Sequence, residues 1–251
     1  MPFCKVKGTK IHYIDRGQGK NLLLLPGNTA SSAVHENDIS FFSGKGFRVI
    51  CPDYPGYGRS DRLENLPDHF WWENAKVLIQ LLSHLEIERT YLLGTSGGAI
   101  IGLNITIMAP DTVSAVVGDS FRVAFSNEAQ VACIVSSREE ATNEQTLFWR
   151  FAHGDDWKNV VKQDSKTLQR AAEKDLKLVR LESNRIECPT LLTGNLNDEL
   201  IPDIVYQLTE TGRKIPRSKV VFYARGKHPS MWTNAEKFRQ DALFFLDRVS
   251  K

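Results

Sequence analysis

Residues Thr90 to Met108 read TYLLGTSGGAIIGLNITIM, and this stretch decides the fold. The apolar residues before the glycines suit a short buried strand, and the longer apolar run after them suits a buried helix. Between the two lies Gly-x-Ser-x-Gly, a spacing that predicts a sharp turn exposing the hydroxyl of Ser96. The flanking glycines are expected because a β-carbon there would collide with the neighbouring strand or helix. The amide of Gly97 should then point from a helix N-terminus at negative charge forming beside Ser96.

Alternating strand and helix signals surround this stretch. Their regular succession predicts an α/β fold with a mostly parallel sheet and helices on both faces. An alternating segment, Lys10 to Asp15, suits an edge strand. Helical spacing of apolar residues predicts helices over Asp68 to Leu85 and Ala235 to Val249. Further strands are predicted at Asn21 to Leu25, Phe47 to Cys51, Val113 to Val117, Cys188 to Thr193 and Lys219 to Tyr223.

The alternation breaks between about Phe121 and Glu187, where the chain is polar and helical in pattern. We interpret this segment as a helical lid inserted in a single domain that spans residues 1–251. Large apolar side chains within it are expected to line a pocket above Ser96, as pockets are usually lined. The alternative is that they only attach the lid to the sheet. These side chains are Phe148, Trp149, Phe151 and Trp157.

Composition excludes several classes of protein. The 251 residues carry a net charge of +2 with 41% apolar and 25% charged residues, so neither a nucleic-acid surface nor a membrane surface is indicated. No apolar stretch approaches the ~20 residues of a membrane span. The first ten residues lack the apolar core of a secretion signal. The four cysteines form no C-x-x-C pair, which favours reduced thiols over bridges or metal ligands, so a cytoplasmic location is expected.

Hydrolysis by a serine needs a base and an acid that orients the base. Of six histidines, only His228 directly follows a late strand, which brings it to the sheet edge expected for Ser96. Asp198 follows the strand before it and completes the order Ser, Asp, His that accompanies this elbow. Asp119, at the end of the strand after the elbow helix, is the rival acid, and Glu199 is the third choice.

Stabilising an oxyanion requires a second N–H donor beside that of Gly97. The loop after Leu25 begins at a strand's carboxyl end, where ligands bind in open α/β sheets, and its amide at Asn28 is the expected donor. These residues imply neither a metal nor an organic cofactor.

Five segments together resemble the α/β-hydrolase superfamily across the whole chain: LLLLPGN, DYPGYGRS, LLGTSGGA, TLLTGNLNDELIP and GKHP. Within it, PDHFWWENAKVLIQLL and HGDDWKNVV are most similar to the biphenyl-hydrolase-like branch, which includes valacyclovir hydrolase. The resemblance implies an α/β-hydrolase fold with Ser96 as nucleophile, Asp198 as acid and His228 as base. It also implies oxyanion amides at Asn28 and Gly97.

The chain departs from that pattern in three ways. Pro-Gly replaces the usual His-Gly after the first buried strand, as it does elsewhere in that branch. An extra residue in GNLND brings Asn197 to the usual acid position, whereas counting back from Pro202 favours Asp198. A glycine follows Ser96 where valacyclovir-type enzymes carry an aspartate, so amino-acid ester specificity is not implied. PGNT is also similar to haloalkane dehalogenases, whose nucleophile is an aspartate.

The sequence therefore predicts hydrolysis of a small carboxylic ester or related acyl compound through an acyl-enzyme at Ser96. A carbon–carbon bond hydrolase or an aminopeptidase-like enzyme would share the same scaffold. A non-catalytic ligand receptor on a hydrolase fold remains a third reading, because such receptors can keep all three catalytic residues. Fold and triad do not determine substrate or oligomeric state.

Overall fold

The computed structural model describes residues 2–125, 128–179 and 186–249. Their strands form a single eight-stranded sheet. The strands are β1 (Phe3–Val6), β2 (Thr9–Arg16), β3 (Lys20–Leu25), β4 (Phe47–Pro52), β5 (Thr90–Thr95), β6 (Val113–Asp119), β7 (Thr190–Asn195) and β8 (Ser218–Tyr223).

The strand order across the sheet is β1-β2-β4-β3-β5-β6-β7-β8. β1 pairs antiparallel with β2, and β2 pairs antiparallel with β4; all later neighbours are parallel. The predicted mostly parallel sheet is confirmed. The prediction that residues 10–15 form an edge strand is wrong, because Phe3 of β1 pairs with His12 and covers that edge. β1 has only four residues, too few for its alternation to stand out from the surrounding sequence.

Helices lie on both faces of the sheet, as predicted. Three of the described helices, over residues 36–43, 204–214 and 230–233, were not predicted from the sequence. The described helices are α1 (Glu36–Ser43), α2 (Phe70–His84), α3 (Gly97–Met108), α4 (Glu128–Glu139), α5 (Asn143–His153), α6 (Trp157–Glu173), α7 (Ile204–Lys214), α8 (Ser230–Thr233) and α9 (Ala235–Arg248).

The core divides at the sheet, because successive side chains of a strand point to opposite faces. Leu23 and Leu25 of β3 belong to the cluster that includes buried residues of α2, α3 and α7. Leu22 and Leu24 belong to the cluster formed with α1 and α9. β3 is therefore buried on both faces, which explains its continuous leucine run.

The turn from β5 to α3 leaves no room for side chains beside its serine. A β-carbon on Gly94 would lie 2.5 Å from the backbone of Gly98, and one on Gly98 would lie 2.1 Å from the carbonyl oxygen of Leu25. Ser96 has a φ of +52°, a left-handed conformation that few side chains adopt. The sharp turn predicted from Gly-x-Ser-x-Gly therefore depends on close packing of β3, β5 and α3.

Three helices, α4 to α6, occupy the described part of the segment predicted as an insertion, between β6 and β7. Residues 126–127 and 180–185, within the predicted limits of 121–187, lie outside the described residues. The described part of this segment contains no strand. No helix in the described ranges is long and apolar enough to cross a membrane.

Candidate active site

Ser96 and His228 line one cavity of about 530 Å³ at the carboxyl ends of the central strands. Ser96 begins the turn into α3, and its backbone N–H donates to the carbonyl oxygen of Asp119 at 2.7 Å. His228 lies in the loop after β8. Because β5, which precedes Ser96, and β8 run parallel, their carboxyl ends lie at the same edge of the sheet. The topology thus brings together two residues that are 132 positions apart in the chain.

The ring of His228 is held by Asp198. The Nδ1 atom of His228 lies 2.9 Å from Oδ2 of Asp198, whose other oxygen accepts the backbone N–H groups of Leu200 at 3.0 Å and Ile201 at 2.8 Å. A carboxylate at Nδ1 favours the tautomer with its hydrogen there, which leaves Nε2 free to accept a proton. Glu199, the third candidate acid, accepts the backbone N–H of His228 at 3.0 Å and not the ring.

The two positions that GNLND offers for the acid, Asn197 and Asp198, have different surroundings in the structure. Asn197 is exposed and its side-chain amide donates to the carbonyl oxygen of Ala224 at 3.3 Å. Asp198 is buried and meets the histidine. Counting back from Pro202 therefore selects the residue that contacts His228.

Asp119 is fully buried at the end of β6 and has a different set of partners. Its carboxylate accepts hydrogen bonds from Thr95 at 3.1 Å, Thr193 at 2.7 Å, the backbone N–H of Met231 at 2.9 Å, and the hydroxyl of Ser230. Burial raises the pKa of this carboxyl, against the effect of its hydrogen bonds. Asp119 thus ties the segment after the histidine loop to β5 and β7, and Asp198 is the acid that touches the imidazole.

Asn28 and Gly97, the predicted oxyanion donors, line the same cavity as Ser96. Among the described residues, the backbone N–H groups of Asn28 and Gly97 have no hydrogen-bond acceptor. A β-carbon on Gly27 would lie only 3.3 Å from Cβ of Ser96, so the bare backbone passes close to the serine. Gly97 is the first residue of α3, where the helix dipole favours negative charge.

Of the four aromatic residues predicted to line a pocket above Ser96, two line the cavity and two do not. Phe148 and Trp149, on α5, line the cavity with Ser96. Phe151 is 70% exposed and lies in a shallow groove outside it. Trp157 stacks on Trp149 at a ring-centre distance of 5.7 Å and is not among the lining residues.

Sequence reasoning missed several cavity residues, because their contacts join distant parts of the chain. Trp71 of α2, Trp232 of α8 and the apolar Leu168 of α6 line the same cavity. Two arginines also line it, and both lie in the predicted insertion. They are Arg122 and Arg138.

The two arginines have different partners. Arg138 pairs with the buried carboxylate of Asp164 at 2.7 Å. Arg122 is 5% exposed and donates to the side-chain oxygen of Gln130 at 2.7 Å and to the carbonyl oxygen of Leu200. Arg122 forms no ion pair with a described carboxylate. Burial lowers the pKa of its guanidinium, against the charges of Asp203 and Asp198, which raise it. An anionic group in the cavity would offset this burial.

No group of three histidine, cysteine or acidic residues suited to a metal ion occurs in the part of the chain that the structure describes.

Comparisons with known proteins agree with the fold. Residues 20–181 match the family model described as alpha/beta hydrolase fold. A 2-hydroxy-6-oxononadienedioate/2-hydroxy-6-oxononatrienedioate hydrolase of Paraburkholderia phymatum is 26% identical over 94% of the chain and 91% of the relative. A haloalkane dehalogenase of Mycolicibacterium paratuberculosis is 30% identical, but over only 43% of the chain and 36% of the relative. An esterase from Exiguobacterium antarcticum superposes with a TM-score of 0.80 at 20% identity, covering 99% of both chains.

Proposed function

Because the chain belongs to the α/β-hydrolase family, we propose that it is a serine hydrolase that cleaves a small carboxylic ester or related acyl compound. The observation that carries this proposal is the pairing of Asp198 with Nδ1 of His228 at 2.9 Å, on the wall of the cavity that also contains Ser96. Nucleophile, base and acid are the three groups that acyl transfer through serine requires.

The chemistry follows from these positions. Nε2 of His228 takes the proton as Oγ of Ser96 attacks the acyl carbon, and Asp198 stabilises the imidazolium. The amides of Asn28 and Gly97 donate to the oxyanion of the tetrahedral intermediate. The intermediate collapses, and His228 returns the proton to the departing alcohol. Water then attacks the acyl-enzyme by the same route, which releases the acid and restores the serine.

The inserted helices act as a lid in this proposal, and α5 supplies the acyl pocket through Phe148 and Trp149. These side chains form an apolar wall on the cavity that contains Ser96. Apolar walls with few polar groups are typical of sites for small molecules.

Replacing Ser96 by alanine tests the nucleophile. Loss of the serine should lower kcat for p-nitrophenyl esters by about 10⁶, as in other serine triads. The melting temperature should change little, since the hydroxyl has no structural partner among the described residues. Near-normal turnover by the purified variant would contradict the proposal. Tight ester binding by the unmodified chain, without turnover, would instead indicate a receptor.

A second candidate is hydrolysis of a carbon–carbon bond in an acidic substrate. Arg122 favours it, because its guanidinium lines the cavity and forms no ion pair with a described carboxylate, although the charges of Asp203 and Asp198 act on it from a greater distance. The relative from Paraburkholderia phymatum is named for an oxo-dienedioate, a compound with two carboxylates.

Two esters with acyl chains of equal length test whether the substrate of this second candidate is acidic. p-Nitrophenyl monoadipate carries a terminal carboxylate and p-nitrophenyl hexanoate does not. Arg122→Met should lower kcat/KM for the monoadipate by about 10–100-fold, the worth of a hydrogen bond to a charged group. The hexanoate should be affected less than about threefold. Equal effects on both esters would remove the argument for an acidic substrate.

A further inference from the structure

The loop that carries the Asn28 amide is hydrogen-bonded to the inserted helices. The side-chain nitrogen of Asn28 donates to Asp164 on α6 at 2.5 Å. The indole N–H of Trp149 on α5 donates to the hydroxyl of Thr29 at 3.1 Å. The hydroxyl of Ser31 donates to the carbonyl oxygen of Ala152, also on α5, at 2.8 Å. The loop and the insertion therefore form one hydrogen-bonded unit, although more than 100 residues separate them.

Thr29 shows that these contacts hold a strained backbone. Its φ is +57°, which is unfavourable for a β-branched residue. Such conformations persist only where the surrounding structure fixes them. The Nδ1 atom of His153 accepts the backbone N–H of Gly58 at 3.0 Å, so the ring hydrogen is on Nε2, which donates to the carbonyl oxygen of Thr29 at 3.0 Å. Burial lowers the pKa of His153, which favours the neutral ring that makes both bonds.

Asp164 fixes Asn28, the residue before Thr29, through its side chain. Its carboxylate is fully buried, and its charge is balanced by Arg138 of α4 at 2.7 Å. The other carboxylate oxygen accepts Asn28 and the hydroxyl of Tyr57. The side-chain oxygen of Asn28 accepts the indole N–H of Trp71 at 3.0 Å. Both the nitrogen and the oxygen of the Asn28 side-chain amide are thus hydrogen-bonded, which fixes the orientation of this side chain.

The fixed side chain also lies against the second oxyanion donor. A β-carbon on Gly97 would lie 1.7 Å from the side-chain oxygen of Asn28. The side chain of Asn28 therefore packs directly on Gly97, so any shift of Asn28 changes the spacing of the two amides.

We infer that the inserted helices hold the oxyanion loop in its active geometry, and that Asp164 is the positioning residue that fixes the amide of Asn28. The inference rests on the proposed role of that amide in catalysis. It gives the insertion a part in the chemistry beyond covering the cavity, because α5 and α6 fix a donor that acts on the transition state. Asp164 itself touches no reacting atom and acts only through Asn28.

Asp164→Asn tests the inference. The new amide keeps one acceptor oxygen, which the guanidinium of Arg138 retains because it repels an N–H₂ group. The N–H₂ group then faces Asn28 and cannot accept its hydrogen bond. The expected result is a fall in kcat of about 10²–10³, the cost of losing one oxyanion donor, with KM changed less than about threefold. Asn28→Ala should cause a similar loss. The double variant should be no worse than Asn28→Ala, within about threefold, because both changes break the same link.

Asp38→Asn is the matched control. Asp38 is also a buried carboxylate, paired with Arg239 at 2.8 Å and hydrogen-bonded to His35 at 3.2 Å, and it makes no hydrogen bond to the loop or to the described part of the insertion. It should lower the melting temperature as Asp164→Asn does and leave kcat unchanged. If both variants lose activity in proportion to stability, Asp164 has only a structural role and the inference is overturned.

The remaining outcomes separate this inference from the proposed function. If Ser96→Ala is inactive but Asp164→Asn keeps kcat within about threefold of the unmodified chain, the inference fails alone. If Ser96→Ala stays active, the proposed function fails. Should Asp164→Asn not fold, Ser31→Ala removes only the hydroxyl that donates to the carbonyl oxygen of Ala152 on α5. Its kcat should fall about tenfold with KM unchanged, the cost of one misplaced hydrogen bond, and an unchanged kcat would overturn the inference.

Discussion

Substituting alanine for Gly97 perturbs the candidate oxyanion hole with a single carbon atom. The new β-carbon would lie 1.7 Å from the side-chain oxygen of Asn28, where ordinary contact begins at 3.4 Å, and 3.1 Å from the indole nitrogen of Trp71. The oxygen must move further than a hydrogen bond can stretch, so Asn28 loses Trp71 and is pushed off Asp164. Two hydrogen bonds are worth about 1–3 kcal/mol in unfolding free energy. In a chain of this size that corresponds to a fall of about 2–12 °C in melting temperature.

The effect on catalysis should exceed the effect on stability. Displacing one oxyanion donor should lower kcat by about 10²–10³. Steady-state hydrolysis of p-nitrophenyl acetate measures kcat, and calorimetry measures stability. Gly102→Ala is the control in the same helix, because its β-carbon would meet no atom closer than the end of the Leu25 side chain, at 3.2 Å. If Gly97→Ala folds and keeps kcat within about threefold of Gly102→Ala, the assignment of the oxyanion donors is wrong.

Three further predictions concern the acid, the pocket and pH. Asp198→Asn should lower kcat by about 10⁴ through the wrong imidazole tautomer, whereas Asp119→Asn should act mainly on the melting temperature; the reverse pattern would transfer the acid role. Phe148→Ala should lower kcat/KM about tenfold more for p-nitrophenyl octanoate than for the acetate, and Phe151→Ala should affect neither; equal losses would refute an acyl pocket on α5. Burial lowers the pKa of His153 below its ordinary value of 6.5, so the unfolded chain binds a proton at a higher pH than the folded chain does. The stability that neutral His153 contributes is complete above the ordinary pKa and is lost as the pH falls through the folded pKa. Thermal melts from pH 8 to 5 should show a smaller loss in His153→Gln, which stays neutral, and an identical loss in both proteins would contradict this.

The elements of this fold that could be predicted carry their signal locally. The leucine run of β3 and the Gly-x-Ser-x-Gly spacing are each visible within a few residues, and the mostly parallel sheet follows from the alternation of strands and helices along the chain. The two ways of counting the spacing disagree about the acid, because the extra residue after Gly194 gives Asn197 from one end of the loop and Asp198 from the other. Coordinates were needed to show that Asp198 meets His228.

Other features depend on contacts between distant segments. Asp164 meets Asn28 across 136 positions of sequence, and nothing near either residue indicates this. Arg122 lies in a segment without a distinctive pattern, and only the folded chain shows that its side chain is buried beside the cavity. The division between Trp149 and Phe151 could have been anticipated, because residues two apart on a helix point about 200° apart.

Reaction with a fluorophosphonate, followed by peptide mass spectrometry, tests the central claim most directly. The reagent captures a serine only when a neighbouring base activates it and an oxyanion hole accepts the charge. The account predicts a single adduct on the peptide that contains Ser96, greatly slowed in His228→Ala and absent in Ser96→Ala. An adduct on another residue, or no adduct in a protein that hydrolyses esters at the full rate, would contradict it.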